Sequence, residues 1–351
     1  MRRSTVKSRK LMVMIGFVIG IFVISPMFQD STSFIGNVYA DQGFRIGFSN
    51  GFTGNIWRQA MLMELDVERQ KQPEIKELIV LDGQGKIEKQ VADIESLIAQ
   101  KVDAIMVIPH SASALCSVLR KAGKAGIKVI VFNIEIECKD IWDAYLGCDP
   151  SPKGEWLGKM LTERLDGKGK IVGFGGIPGN MWSAAMWAGA KKSFDKSEIE
   201  VLTYKFANWQ MDQGKIVMAD LLNVYPQIDG IFSDGPEMAA GAVRAMLDAG
   251  RPLVPVATGA GNGMIRIFLE YREPQPNFDI FLISEPTREA AETLKLIIKI
   301  LKGEDYPKKI SVEPLKITRE NCEKYFKPFA PDAFEVDTTL SDEQLKKLFE
   351  K

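Results

Sequence analysis

The chain has 351 residues, 46% hydrophobic and 26% charged, with a formal net charge of −1. That length exceeds what one core usually holds, and the composition is ordinary for a globular protein, so roughly two domains are expected. No Lys/Arg-rich block points to nucleic acid, and the single histidine, His110, has no serine or cysteine partner that would suggest a triad.

The N-terminal segment comes first. Arg2, Arg3, Lys7, Arg9 and Lys10 form a basic region, followed at 11–25 by an uncharged, almost wholly apolar run (LMVMIGFVIGIFVIS). The run is shorter than the ~18–20 residues of a spanning helix. Val38, Tyr39 and Ala40 place small residues around a cleavage site before Asp41. Residues 1–40 read as a secretory signal peptide without a lipid-attachment cysteine. The alternative is an uncleaved anchor, because 26–40 is long for the stretch before a cleavage site. Removing the leader leaves 40 basic against 45 acidic residues, a net charge near −5. That charge favours solubility and names no partner.

From Asp41 onward β and α patterns alternate. Strands are expected at 44–50 (FRIGFSN), 77–81 (ELIVL), 104–108 (AIMVI) and 128–133 (KVIVFN). Helices are expected at 55–72, over the Ile87, Val91, Ile94, Ile98 face, and from Ser111, whose hydroxyl suits an N-cap. After 145–150 (YLGCDP) the alternation restarts. Strands follow at 170–174, 199–204, 230–233, 254–258 and 278–283, with helices at 237–249 and 288–302 and a short charged helix from Ser341. The strands are continuously apolar, as in parallel sheets covered on both faces. The fold class is therefore α/β, with two doubly wound parallel sheets.

Two such sheets imply a cleft, and ligands lie beyond the carboxyl ends of the strands. The residues there are 50–57, 110–111, 133–135, 175–182, 208–210, 234–235, 259–263 and 284–285. The set is rich in Asn, Ser, Trp and Gly and poor in Lys and Arg. Amides and hydroxyls suit sugar hydroxyls and indole faces suit sugar rings, whereas a phosphate or carboxylate ligand calls for Arg. Asn50, Ser111, Asn133, Asn180, Trp182 and Asn262 are candidates on this ground. Four have a plain alternative. Ser111 also suits a helix start, Asn133 the satisfaction of buried backbone, Asn262 a glycine-rich turn, and Trp182 packing.

At these residues the chain resembles the periplasmic sugar-binding proteins of ABC importers, of the ribose- and galactose-binding kind. The match is carried by FRIGFSNGFTGNIWRQAM, KVDAIMVIPHSASAL, AGIKVIVFN, YPQIDGIFSDGPEMAAGAVRAMLDAG and ILKGE, over roughly residues 44–314. The resemblance implies a type I periplasmic binding protein: two doubly wound domains joined by three crossovers, near 148–151, 283–286 and 311–314. It implies domains of 41–148 plus 285–311 and of 149–284 plus 312–351, closing on the ligand like a hinge. It implies Asn55 as an amide contact, Trp57 and Trp209 as stacking walls, Asp234 or Gly235 as a polar contact, and Ser284 as a polar residue at the second crossover.

The chain departs from the ribose pattern. Asn133-Ile134 stands where ribose-type members carry Asp-Arg, the helix after Gly179 lacks the family's arginine, and Gly259–Asn262 lacks its acid. Amides and tryptophans take their place. The reading is an exported receptor that binds a neutral carbohydrate (pentose, hexose or polyol) and delivers it to a membrane-embedded ABC permease. No cofactor, metal or nucleic acid is implied, and a monomer is expected. The alternative is a receptor that presents a sugar or furanose to a chemoreceptor or sensor kinase.

Four cysteines remain. Cys138 and Cys148 flank a short loop (CKDIWDAYLGC) and could form a disulfide in an oxidising compartment if their Cα atoms lie close enough, while Cys116 is expected as a buried thiol.

Overall fold

A computed structural model describes residues 43–111 and 113–350. The expected signal peptide and cleavage site lie outside the described residues. The elements are β1 (Phe44–Asn50), α1 (Ile56–Arg69), β2 (Ile75–Asp82), α2 (Ile87–Ala99), β3 (Ala104–Ile108), α3 (Cys116–Lys124), β4 (Lys128–Phe132), β5 (Ala144–Gly147), α4 (Pro150–Arg164), β6 (Lys168–Gly175) and α5 (Met181–Phe194). They continue with β7 (Glu198–Phe206), α6 (Met211–Val224), β8 (Gly230–Ser233), α7 (Pro236–Asp248), β9 (Val256–Gly259), α8 (Asn262–Tyr271), β10 (Ile280–Ile283), α9 (Glu289–Leu301), β11 (Lys309–Ser311), β12 (Lys316–Thr318) and α10 (Asp342–Phe349).

These strands form two six-stranded sheets, ordered β11-β5-β4-β3-β1-β2 and β12-β10-β9-β8-β6-β7. Every pairing is parallel except that of β12 with β10. The chain passes between the sheets three times: after β5, after β10 and after β11. Alternation within each strand explains the continuous apolar runs. Ile46, Phe48, Met106 and Ile130 face α1 and α9, while Ile105, Val107, Val129 and Val131 face α2 and α3. Val172, Phe174 and Ile231 likewise face α6 to α8, and Ile171, Phe232 and Phe281 face α4 and α5. Burying both faces makes almost every strand residue count toward the core. On the second sheet, α4 and α5 approach so closely that a Cβ on Gly154 or Gly189 would strike the other helix's backbone.

Helix starts follow local chemistry. Asn55, Asp149, Asn180 and Ser341 each accept a first-turn backbone N–H, and Ser341 forms a capping box with Gln344. Ser111 does not begin a helix: α3 starts at Cys116, and the Ser111 hydroxyl accepts from Ala114 N at 3.2 Å in the preceding turn.

The short strands β5, β11 and β12 were absent from the sequence reading, since three or four residues give no period. The cysteine pairing also differs from expectation. Cys138 bonds Cys116, with Cα atoms 6.0 Å apart, and Cys148 is a buried free thiol. The cause is packing: Ile136, Ile141 and Trp142 fold the 134–143 loop onto Leu115, Val118 and Leu119, which brings Cys138 to the start of α3. Cys148 directly follows β5 instead, and burial pushes its thiol up to about 12.

Candidate functional site

Most of the predicted residues gather where the strand ends of both sheets meet the crossings. Asn50 ends β1 fully buried, and its Oδ1 accepts from the Arg58 guanidinium. Its Nδ2 has no partner among the described residues. Asn55 spends its Oδ1 on capping α1, at 2.9 Å from Arg58 N. Trp57, one residue into α1, donates its indole N–H to the Glu285 carbonyl at 2.8 Å. The first turn of α1 is thereby tied to the crossing that follows β10.

Asn133 follows β4 with φ of 65°, a left-handed conformation that Asn tolerates. Its amide donates to Glu285 Oε1 at 2.6 Å and to Glu289 Oε2 at 2.9 Å. Glu285 also pairs with the Lys153 ammonium from α4, which is 3% exposed and lies 4.4 Å from the centre of the Trp182 ring. Glu285 is thus the node at which the first sheet (Asn133), the second sheet's helices (Lys153, Trp182) and the crossing meet.

Trp209 forms a second wall. Its indole donates to Asp234 Oδ1 at 2.9 Å, and Asp234 Oδ2 accepts from Gly176 N at 3.2 Å. A Cβ on Gly176 or Gly235 would strike the indole, so the ring lies flat against both loops. Burial pushes the Asp234 carboxyl up to about 6, opposed by the hydrogen bonds from Ser183, Gly176 and Trp209.

Three candidates are committed elsewhere. Asn180 caps α5 through Ser183 N at 3.2 Å. Asn262 directs its amide to Lys327 O at 2.9 Å and Ala330 O at 3.0 Å, holding the C-terminal tail. Buried Ser284 donates to Asp337 Oδ2 at 2.6 Å and accepts from Leu315 N at 2.7 Å.

The charges at this site escaped the sequence reading. Arg58 and Lys153 come from the first turns of α1 and α4, just beyond the strand ends that were inspected. Burial lowers Arg58 to about 10, against the pull of Asp82, Glu285 and Glu289. Burial also depresses Lys153, but Glu285, Cys148 and Glu335 more than offset it, and its pKa ends above the usual lysine value. Glu289 is pushed up to about 8, first by burial and then by the charge of Glu285. Glu335 is raised well above the carboxylate range, again chiefly by burial. Glu289 had a sequence signal. With Thr293 and Ile297 it follows the i, i+4, i+8 spacing of the buried face of α9. Lys153 had the same signal, since with Leu157 and Leu161 it follows the i, i+4, i+8 spacing of the buried face of α4.

A cavity of about 490 Å³ opens beside this node, bounded by Asn133 and Tyr145 on one side and Met181 and Trp182 on the other. It is within the usual range for small-molecule sites. Among the described residues no group of three or more His, Cys, Asp or Glu is placed to hold a metal ion. The arrangement offers hydrogen-bonding carboxylates, amides and aromatic walls, which is recognition chemistry.

The family profile of the periplasmic binding protein domain matches residues 46–305. The chain belongs to that family. Among curated relatives of this periplasmic binding protein domain, the ribose import binding protein of Bacillus subtilis is 25% identical over 279 residues, 78% of this chain and 87% of that protein. The xylitol-binding protein of Mycolicibacterium smegmatis is 28% identical over 255 residues, 70% of each. The structure of an ABC transporter periplasmic solute binding protein from Actinobacillus succinogenes with bound D-allose superposes with a TM-score of 0.69 at 27% identity, covering 80% of this chain and 99% of that one. The fold is the type I periplasmic binding protein: two α/β domains joined by three crossings. The family comprises substrate-binding proteins rather than enzymes.

Proposed function

We propose that this periplasmic binding protein captures a small neutral carbohydrate between its two domains and delivers it to a membrane-embedded ABC permease from the periplasm. The domains run 41–148 with 285–311, and 149–284 with 312–351. The observation that carries the reading is Glu285. One carboxylate in a crossing accepts from Asn133 of one domain and from Lys153 of the other. A ligand that hydrogen-bonds this node therefore touches both domains, which is what a closing hinge requires. Trp57 and Trp209 supply faces for a ring, and Asp234 and Asn50 supply polar atoms. The named relatives and neighbour above are described with ribose, xylitol and D-allose, all uncharged and densely hydroxylated, which supports a neutral ligand of that size.

The test is a thermal-shift panel of pentoses, hexoses and polyols, followed by calorimetry. A ligand at ~1,000 times its Kd adds about 4 kcal/mol to the folded state, so a true ligand raises Tm by several degrees. A panel without any shift refutes the reading.

A further inference from the structure

The cavity beside Glu285 has a substantial apolar lining. Its apolar walls are Ile134, Tyr145, Met181, Trp182 and Ile310, drawn from both domains. Several polar groups that face it are engaged: Glu135 pairs with Lys309 at 2.9 Å, the Tyr145 hydroxyl donates to Asn133 O at 3.1 Å, and Asp149 Oδ1 accepts from Ser151 N at 3.0 Å. Lys153 is likewise held by Glu285. The charges of Glu135 and Lys309 and of Glu285 and Lys153 cancel in pairs, and the Asp149 carboxylate caps α4, so nothing there calls for an anionic ligand. The gain still on offer is the covering of apolar surface. Met181 is 48% exposed at the mouth, and the neighbouring Ile177 is 47% exposed.

We propose that this compartment receives an apolar substituent carried by the carbohydrate, so that the preferred ligand is an alkyl or aryl glycoside rather than a free sugar or polyol. The inference rests on the carbohydrate-binding reading above. The hydroxylated ring lies at the Glu285 node against Trp57 and Trp209, and the aglycone passes Asn133 into the space between Tyr145 and Trp182. Tyr145 and Trp182 are aromatic, and ring faces suit an aryl or alkyl group. A tenfold gain in affinity, about 1.4 kcal/mol, requires roughly 55 Å² of newly covered apolar surface at ~25 cal/mol per Å². About half a phenyl group supplies that area.

The test is calorimetric titration of the purified protein with D-ribose, D-allose, D-galactose and xylitol, and with both anomers of the methyl and phenyl glycosides of the three aldoses. The expected result is a phenyl glycoside that binds at least about tenfold more tightly than its parent sugar, or one that binds where the parent does not. Ala185→Trp, which fills the compartment from α5, is then expected to bring glycoside and parent within about twofold of each other. Met181→Asp, on an exposed position that does not endanger folding, is expected to shrink the preference in the same direction. A parent sugar that binds as well as or better than all its glycosides overturns the inference and leaves the carbohydrate reading standing. If neither sugars nor glycosides bind, the carbohydrate reading itself fails and takes the inference with it.

Discussion

Glu289→Gln is expected to stabilise the protein at neutral pH and to leave it unchanged in acid. Glu289 is fully buried at the start of α9, one carboxylate oxygen accepts from Asn133, and the other has no partner among the described residues. Burial and the charge of Glu285 hold its pKa at about 8, against 4.5 for the free side chain. The folded value lies above the unfolded one. Its stabilising contribution is therefore complete below about pH 4.5 and is lost as the pH rises toward 8. At pH 7 the unfolded chain gains about 3 kcal/mol by ionising this group, which the folded chain forgoes. Glutamine keeps the acceptor for Asn133 and removes the titration. It places an N–H where the protonated acid places an O–H, so the unpartnered position costs much the same in both. The variant should exceed the wild type by about 2 kcal/mol at pH 7.5, allowing for the share of the charge carried by Glu285, and match it at pH 4.5. Urea unfolding of both proteins from pH 4.5 to 8.5 measures this. A stability difference that does not change with pH refutes the reasoning, because only a titrating carboxyl makes the difference pH-dependent.

Lys153→Met should act in the opposite direction. It removes the cation that compensates Glu285 and costs about 3 kcal/mol at pH 7.5, the cost of breaking a buried pair. Adding Glu285→Gln should recover most of the loss in a double-mutant cycle read by urea unfolding. Cys116→Ala opens a loop of 22 residues, with an expected loss of about 3 kcal/mol, seen as a calorimetric Tm drop that reducing agent reproduces in the wild type. Gly176→Ala drives a methyl into the Trp209 indole; it should weaken carbohydrate binding by at least about tenfold while costing only about 1–3 kcal/mol of stability, measured by titration and melting.

The fold was legible because its determinants are local and repeated. AIMVI is apolar at every position and GIFS at all but its last, and a parallel sheet covered on both faces accepts such runs. The bounds of β3 and β8 were therefore correct to the residue. The short strands β5, β11 and β12 left no pattern, since pairing with an existing sheet edge rather than their own sequence defines them. Within the site, the strand-end rule located Trp57, Asn133, Trp209 and Asp234. It missed Arg58 and Lys153, because a long side chain from the next helical turn reaches back to the strand ends. The cysteine pairing failed for a related reason: separation along the chain ranked Cys138 with Cys148, whereas the packing of Ile136 and Trp142 decides which sulfur Cys138 meets.

The carboxylates around the crossings divide by the donors they receive, and the division separates scaffold from site. Glu64 on α1 accepts from the hydroxyls of Thr287 and Thr338 and from Thr339 N on a single oxygen. Asp337 accepts from Ser284 and pairs with Arg288. Together these acids lace the tail to α1 and to the crossing after β10. Asn262 and Asp332 fasten the same tail to the second domain, Asp332 through Arg244 and Arg266. A buried carboxylate with that many donors is stable in place and has little left to offer a ligand. Glu289 and Glu335 are different. Glu289 receives only the Asn133 amide and Glu335 the Glu285 N–H at 3.2 Å, and burial raises both pKa values. An under-supplied acid that burial favours in its protonated form stores an unmet demand for hydrogen bonds through its O–H as well as its oxygens, and hydroxyl groups both donate and accept without bringing a charge. That demand, rather than the count of polar residues at the strand ends, makes this corner of the fold suited to a carbohydrate.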